Sequence, residues 1–366
     1  MCYNFAGDIM KIVGVICEFN PYHNGHDYFL KEVRKKSKAD VLIVCLSSYF
    51  TMRGDLSIHN PFLKTEYTLN NADIVVSLPS FLAVNSADYF AYYAVRELNK
   101  LKVSDIYFGT ENSDLSIYET YNLSFNELNV KDNLKTGISY KKLTSEQVPL
   151  KPNELLGYCY YKAIKKINKN INIHTIKREN STHGSLIPSS DTICSSSAIR
   201  NNLSLFDNYT PSYVSKEVYD YEKLFNYFKS YIILNKNNYA NLRDVTEGIE
   251  NLIIKNIYTS SSFNELITKS TTKRYTSSKI KRTIFRMMFS VTYEDDYIYS
   301  RILGFNNTGK KYLNLIKKDI ALLTQIKPNI SNILDTELKI ARILDLIYND
   351  NNYKNEISKP IIKDRK

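Results

Sequence analysis

The sequence predicts a doubly wound α/β domain built on a parallel sheet, followed by a mainly helical domain, and three observations carry that reading. Up to about residue 200, short apolar runs rich in Val and Ile alternate with amphipathic segments of helix length. Runs of that kind, separated by helices, mark a parallel sheet covered on both faces. From about residue 220 the pattern turns to helical periodicity, with many Tyr and Lys and few strand-like runs. A chain of 366 residues that is 43% hydrophobic is long enough for two such domains.

In chain order, "KIVGVICEF" (Lys11–Phe19) reads as a strand and "HDYFLKEVRKK" (His26–Lys36) as its helix. "DVLIVCLS" is paired with "PFLKTEYTLNNA", "DIVVSLPS" with "SADYFAYYAVRELNKLK", and "VSDIYFGT" ends the first series. Polar residues dominate from about 111 to 148, which predicts an irregular insertion. A helix over "NELLGYCYYKAIKKI" and a strand over "INIHTIKR" resume the alternation. A polar loop, "NSTHGSLIPSSD", then leads to a short helix starting near "SSSAIRNNL". The expected division is an extension at 1–9, the α/β domain at 10–219 and a basic helical domain at 220–366, with Met10 a candidate initiator.

Lys and Arg total 49 against 38 Asp and Glu, a net charge of +11 that fits a polyanionic partner or compositional drift. The five cysteines form no C-x-x-C pair, and Cys17 and Cys45 lie in apolar strands, so reduced core thiols in a cytoplasmic protein are expected. No stretch approaches the ~20 apolar residues of a membrane span, and the first ten residues lack a signal peptide's pattern. His59, His174 and His183 show no metal spacing with any cysteine, so no zinc is expected.

The chemistry concentrates in "FNPYHNGHDYFL" (Phe19–Leu30), on the first strand-to-helix turn. A helix starting near Gly25 or His26 presents unpaired N–H groups and the positive end of its dipole beyond the sheet. Glycine between the histidines lets backbone approach a phosphate, and His23 and His26 can donate Nε2–H bonds to phosphate oxygens. At a helix start facing a ligand, His26 is expected to carry little core packing. The turn reads as a nucleotide α-phosphate site.

"HNGH", with "SSSAIR" at Ser195–Arg200, resembles the H-x-G-H nucleotidyltransferase superfamily. Longer stretches, "GVICEFNPYHNGH", "MRGD", "FGTE", "KPNELLGYCYYKAI", "TIKRE", "KRYTSSKIKR" and "RILGF", are similar to the bacterial tRNA(Met) cytidine acetate ligase family over nearly the whole chain from Met10. The resemblance implies ATP-dependent activation of acetate to acetyl-adenylate and acetyl transfer to N4 of the wobble cytidine of elongator tRNA(Met), forming N4-acetylcytidine. It implies an ATP site over Ile16, Cys17, Glu18, Phe19, Asn20, Pro21, Tyr22, His23, Asn24, Gly25, His26, Asp27, Tyr28 and Phe29, with Gly109, Asn153, Arg178 and Glu179. Gly109 ends a strand where a side chain would obstruct an adenosine, and Asn153 reads either as a ligand contact or as a plain helix cap. The chain departs from the family pattern where Ser48, Tyr49 and Met52 replace Gly, Asn and Gln, where "PNE" replaces P-N-N, and where Glu179 replaces an apolar residue.

Attack of a carboxylate on the α-phosphorus needs positioning and charge stabilisation, not a protein nucleophile. His23 and His26 are assigned to the α-phosphate, Arg178 and Arg200 to the triphosphate, and Ser195, Ser196 and Ser197 to the departing pyrophosphate; Arg200 reads alternatively as a solvated helix residue. Mg²⁺ is expected to arrive through the phosphates. Arg53 and Asp55 form either a loop ion pair or a substrate contact. For tRNA, Lys273, Arg274, Tyr275, Lys279, Lys281 and Arg282, with Arg286 behind them, suit phosphates and a stacked base; a second basic stretch is "NNTGKKYLNLIKK". Both read alternatively as solvated helix faces. Two other functions share the turn: a nucleotidyltransferase for a small phosphorylated metabolite, and a non-catalytic RNA-binding protein.

Overall fold

The structure, a computed structural model, describes residues 10–111, 114–119, 150–178, 193–235, 239, 241–243, 245–289 and 297–364. The expected extension at 1–9, most of the insertion and the polar loop before the serine segment lie outside these residues.

Five strands form the parallel part of the sheet: β1 (Ile12–Cys17), β2 (Val41–Ser47), β3 (Ile74–Leu78), β4 (Asp105–Thr110) and β5 (Asn172–Lys177). Their crossovers carry α1 (Asn24–Ser37), α2 (Pro61–Thr68), the single turn α3 (Ser80–Ala83), α4 (Ala87–Lys100) and α5 (Pro152–Ile167). The spatial order is β5-β4-β1-β2-β3, so the winding reverses between β1 and β4. At such a switch point a crevice opens beyond the carboxyl ends of the strands.

Successive side chains of a strand point to opposite faces, and here they feed two cores. Ile12, Val41, Ile43 and Cys45 pack with Phe90, Ala94 and Leu98 of α4, whereas Val13, Val15, Leu42 and Val44 pack with Leu30 and Val33 of α1. Each buried Val, Leu or Ile contributes roughly 1.5–3 kcal/mol, which is why strands apolar on both sides settle between two helical layers. Cys17, Cys45, Cys159 and Cys194 are free and buried.

After β5 come α6 (Ser196–Asn201), a 3₁₀ turn at Leu203–Leu205, and α7 (Phe206–Tyr209). The helices α8 (Tyr221–Leu234), α9 (Ile249–Ile257), α10 (Phe263–Ser270) and α11 (Ser277–Phe289) follow the predicted change of pattern. The chain then returns to the sheet: β6 (Ser300–Phe305) pairs antiparallel with β3. After α12 (Asn307–Ile316) come β7 (Leu322–Leu323), α13 (Asn332–Tyr348), α14 (Asn352–Glu356) and β8 (Ile361–Ile362), and both short strands pair with β6. Sequence reading treats this stretch as helical; "SRILGF" departs from that because it is buried at five of its six positions and closes the edge of β3.

The sequence also groups Arg286 with an exposed basic segment, and the structure corrects this. Arg286 is fully buried, its guanidinium donating to the carbonyls of Phe81 (3.3 Å) and Val84 (2.6 Å). On the same helix, Phe285 and Phe289 pack against Phe50, with ring centroids 4.9 and 5.6 Å apart. Among the described residues no helix is long and apolar enough to cross a membrane.

Candidate active site

α1 begins at Asn24, slightly earlier than the sequence predicts, because His23 itself is the N-cap. Its Nδ1 accepts from Gly25 N–H at 3.1 Å, and Nδ1 of His26 accepts from His23 N–H at 3.3 Å, a reciprocal capping box made by two imidazoles. A neutral imidazole carries one proton, so an accepting Nδ1 leaves Nε2 as the donor. For His23 the helix cap thereby selects the tautomer that a phosphate oxygen needs.

The two rings stack at 3.7 Å and 23°. Burial, followed by Arg178 and Arg200, lowers His23 to about 3. Burial, His23 and Arg178 hold His26 well below the ordinary histidine value, against the pull of a hydrogen bond to the Pro21 carbonyl. Both rings are therefore neutral donors at physiological pH, and positive charge at the turn comes from the two arginines. His26 also meets Phe19 at 4.8 Å and Tyr22 at 6.0 Å, so it carries more packing than a helix-start position suggests. A Cβ on Gly25 would lie 2.9 Å from His23 Cε1, so the absent side chain is what lets the imidazole fold back over the helix start.

Other residues of the turn hold it in place. Asn20 Oδ1 accepts from Ile58 N–H at 2.9 Å, Asn24 donates to the Asn208 carbonyl at 3.3 Å, and the peptide bond before Pro21 is cis. Asp27 is engaged within the protein, accepting from Asn71 (2.6 Å) and Tyr213 (2.8 Å) and pairing with Lys31 (2.7 Å). Tyr22 and Cys17 are buried, while Ile16, Tyr28 and Phe29 are half-buried.

Arg178 follows β5, and its side chain passes the end of β4. A Cβ on Gly109 would make only ordinary contact, 3.5 Å from Arg178 Cγ, so the protein's own packing does not demand glycine there. Asn153 does not cap α5. That helix starts at Pro152 with Lys151 as N-cap, and Asn153 Nδ2 instead donates to Glu111 Oε1 at 2.6 Å. Sequence reading assigned Glu111 no role, although "FGTE" contains it. Glu154, the residue that departs from P-N-N, closes the helix cap by accepting from Lys151 N–H at 2.8 Å. Glu179 lies outside the described residues.

The serine signature reaches the turn through Arg200. Its guanidinium donates to the carbonyl of Asn20 and, at 3.3 Å, to Ser197 Oγ. Ser195 is the N-cap of α6, its Oγ accepting from Ala198 N–H at 3.1 Å. Ser196 and Ser197 are half-buried at that helix start. Arg200 thus makes two hydrogen bonds within the turn and its own helix start.

The loop after β2 is tied to the end of β1 by Glu18, whose half-buried carboxylate accepts from Met52 N–H at 2.5 Å. Because that bond uses backbone, the replacement of Gln by Met at 52 leaves it available. Tyr49 is buried and donates to Glu356 Oε1 at 2.9 Å. Beneath the loop lies Lys64 of α2, fully buried, donating to the carbonyls of Ser47 (2.8 Å), Ser48 (2.8 Å) and Glu18 (3.1 Å) and to Ser57 Oγ (3.1 Å). Burial lowers it to about 7, with Glu18 and Glu337 opposing. Nothing in "PFLKTEYT" distinguishes this lysine from one on a polar helix face.

At the predicted RNA segment the charges are partly engaged. Lys281 pairs with Asp55 at 2.6 Å and Arg274 with Glu247 at 2.7 Å. Gly54, at φ +86°, lies so close to α11 that a Cβ would meet Arg282 N at 2.7 Å. Lys273 is exposed, Lys279, Arg282 and Tyr275 are half-buried, and the Tyr275 hydroxyl donates to the Glu247 carbonyl at 2.9 Å.

A switch-point crevice that gathers neutral paired histidines, two arginines and a serine-capped helix defines a nucleotide-handling site of the H-x-G-H type. The sequence profile of the HIGH Nucleotidyl Transferase family matches residues 10–359, and the chain belongs to that family. It is 32% identical over 362 residues to the tRNA(Met) cytidine acetate ligase of Staphylococcus aureus strain JH9, covering 92% of this chain and 96% of that protein. The fold matches the crystal structure of apo Thermotoga maritima TmcAL with a TM-score of 0.85 at 23% identity, over 97% of this chain and 100% of that one. A second TmcAL structure, bound with alpha-thio ATP, matches with a TM-score of 0.82 at 23% identity and the same coverage.

Proposed function

We propose that this protein activates acetate with ATP and transfers the acetyl group to N4 of the wobble cytidine of elongator tRNA(Met). The observation that carries the reading is the stacked pair of neutral histidines at the switch point, His23 buried and His26 half-buried, in a chain 32% identical across 92% of its length to a tRNA(Met) cytidine acetate ligase. Acetate oxygen attacks the α-phosphorus, a new O–P bond forms, and the bond to the β-phosphate oxygen breaks to release pyrophosphate. His23 donates Nε2–H to an α-phosphate oxygen, where negative charge builds, and His26 does the same on giving up its hydrogen bond to the Pro21 carbonyl. Arg178 and Arg200 meet the triphosphate, Ser196 faces the leaving pyrophosphate, and Mg²⁺ accompanies the phosphates.

The cytidine amine then attacks the acetyl carbonyl, AMP leaves, and the nitrogen loses a proton. A wobble base is single-stranded and is extruded at lower cost than a paired one. In this reading the segment beyond 220 holds RNA backbone through Lys273, Lys279 and Arg282, and the free, buried thiols suit a cytoplasmic setting.

Incubation with ATP, isotopically labelled acetate and tRNA(Met), followed by nucleoside analysis, tests the proposal. Labelled N4-acetylcytidine is expected, without acetyl-CoA. Adenylate formation with an unlabelled wobble cytidine overturns the RNA half; no acetate-dependent pyrophosphate release overturns the whole.

A further inference from the structure

We propose that the outer face formed by α4 and α5 is a docking surface for the phosphate backbone of structured RNA. The proposal rests on the RNA reading above and extends it to a part of the molecule that the sequence does not mark. α4 and α5 are neighbours on one face of the sheet, and their exposed side carries cations laid over tyrosine rings. Lys165 sits over Tyr161 at 5.3 Å, and Lys166 crosses from α5 to Tyr92 of α4 at 5.0 Å. Arg243, from beyond α8, lies over Tyr89 at 4.6 Å, and that ring is 53% exposed. Among the described residues, Tyr161, Lys162, Lys165 and Lys166 line an open groove of about 490 Å³.

What separates this face from the basic segment on α11 is the nature of each cation's partner. A carboxylate cancels the charge it meets, as Asp55 does for Lys281 and Glu247 for Arg274. A tyrosine ring orients a cation through its quadrupole and leaves the net charge intact. Lys162 is paired with Asp88 at 2.6 Å, but Lys165 and Lys166 are exposed and held by rings. Among the described residues Lys165 and Lys166 meet rings and no carboxylate, and such oriented cations beside half-exposed tyrosines match phosphates flanking an unstacked base.

The reach also fits. Asn153 stands in the first turn of α5 beside Glu111, and Lys165 and Lys166 stand in the last turn. Twelve residues at 1.5 Å each place the cations ~18 Å from the crevice, about the span of a short RNA stem whose loop enters the site. Lys165 and Lys166 also complement the negative end of the helix dipole, so stability and RNA affinity must be read separately.

The experiment compares the full-length protein with a Lys165→Glu/Lys166→Glu variant and a neutral Lys165→Gln/Lys166→Gln variant. Binding of an elongator tRNA(Met) transcript is measured between about 50 and 200 mM salt, with thermal unfolding as the check on fold. The charge reversal is expected to weaken binding by at least roughly tenfold, and both variants to reduce the log–log salt slope by about 1–2. The neutral pair keeps helix propensity and decides the matter if the reversed pair unfolds. Unchanged affinity and slope in a folded variant overturn the surface alone. Absence of tRNA binding by the unaltered protein overturns the RNA reading together with it. Lost binding to phosphatidylglycerol vesicles with tRNA affinity intact assigns the face to membrane and overturns it as well.

Discussion

At the histidine turn the Nδ1 atoms of His23 and His26 and the N–H groups of His23 and Gly25 satisfy one another within four residues, whereas Lys281 on α11 meets Asp55 across 226 residues. Local closure leaves the Nε2 donor of His23 outside the arrangement it completes. Closure by a distant carboxylate engages the charge that sequence reading assigns to RNA. A motif whose geometry is determined by its own neighbours can be read from sequence with its outward atoms intact. A charge run cannot, because its availability depends on what the rest of the chain brings to it.

The strongest way to break this comparison is His23→Asn. Asparagine is a good N-cap and keeps an acceptor for Gly25 N–H, but it removes the ring donor. Acetate-dependent pyrophosphate release is expected to fall by on the order of 10²–10³ with little change in the thermal midpoint. Near-normal release from this variant would mean that the imidazoles only cap the helix.

Gly25→Ala has a smaller expected effect and sharpens the same point. The added methyl overlaps His23 Cε1, so the ring must swing out, while alanine improves helix propensity by about 1 kcal/mol. Loss of about tenfold in rate without loss of stability is expected. Equal losses of rate and stability would show that the cap, not the donor position, is sensitive.

On the α11 side, a double-mutant cycle with Asp55→Asn and Lys281→Met is expected to give a coupling of roughly 0.2–1 kcal/mol in unfolding free energy, since both side chains keep some contact with water. The tRNA salt slope of Lys281→Met should change by less than that of the α5 variants. A drop of about 1 in that slope from this single change would return Lys281 to the RNA and dissolve the contrast.

The smallest expected effect concerns pH. His23 is lowered to about 3 and His26 lies well below 6.5, so the unfolded chain takes up these protons before the folded one does. Their contribution to stability is complete above about 6.5 and is lost as pH falls from there towards 3. The rate profile for adenylation should show no histidine ionisation near 6.5. An inflection there, abolished by His23→Asn, would place a charged imidazole in the reaction.

Legibility followed the same division between near and distant partners. Strands β1 to β5 and their helices are visible in the sequence because each strand's apolar run is itself the signal. The histidine turn is visible because it directly follows β1. The strand β6 is not, because six residues within a helical stretch become a strand only when β3 offers an edge, and Ile74 and Phe305 are far apart in the chain. Lys64 and Arg286 were hidden for a related reason: polar residues on amphipathic helices read as solvated until the carbonyls that receive them are known. The cap alternative for Asn153 fails because proline at the helix start puts the N-cap at Lys151, two residues earlier.

The antiparallel entry of β6 beside β3 also sets a timetable. When β3 has left the ribosome, the strand that covers its outer edge is still about 220 residues from being made. At bacterial and eukaryotic elongation rates of ~5–20 residues per second that interval is ~10–45 s, during which a buried, Val-rich strand presents unpaired N–H and C=O groups to its surroundings. The edge of β3 thus stays open for tens of seconds of synthesis before its own chain can close it.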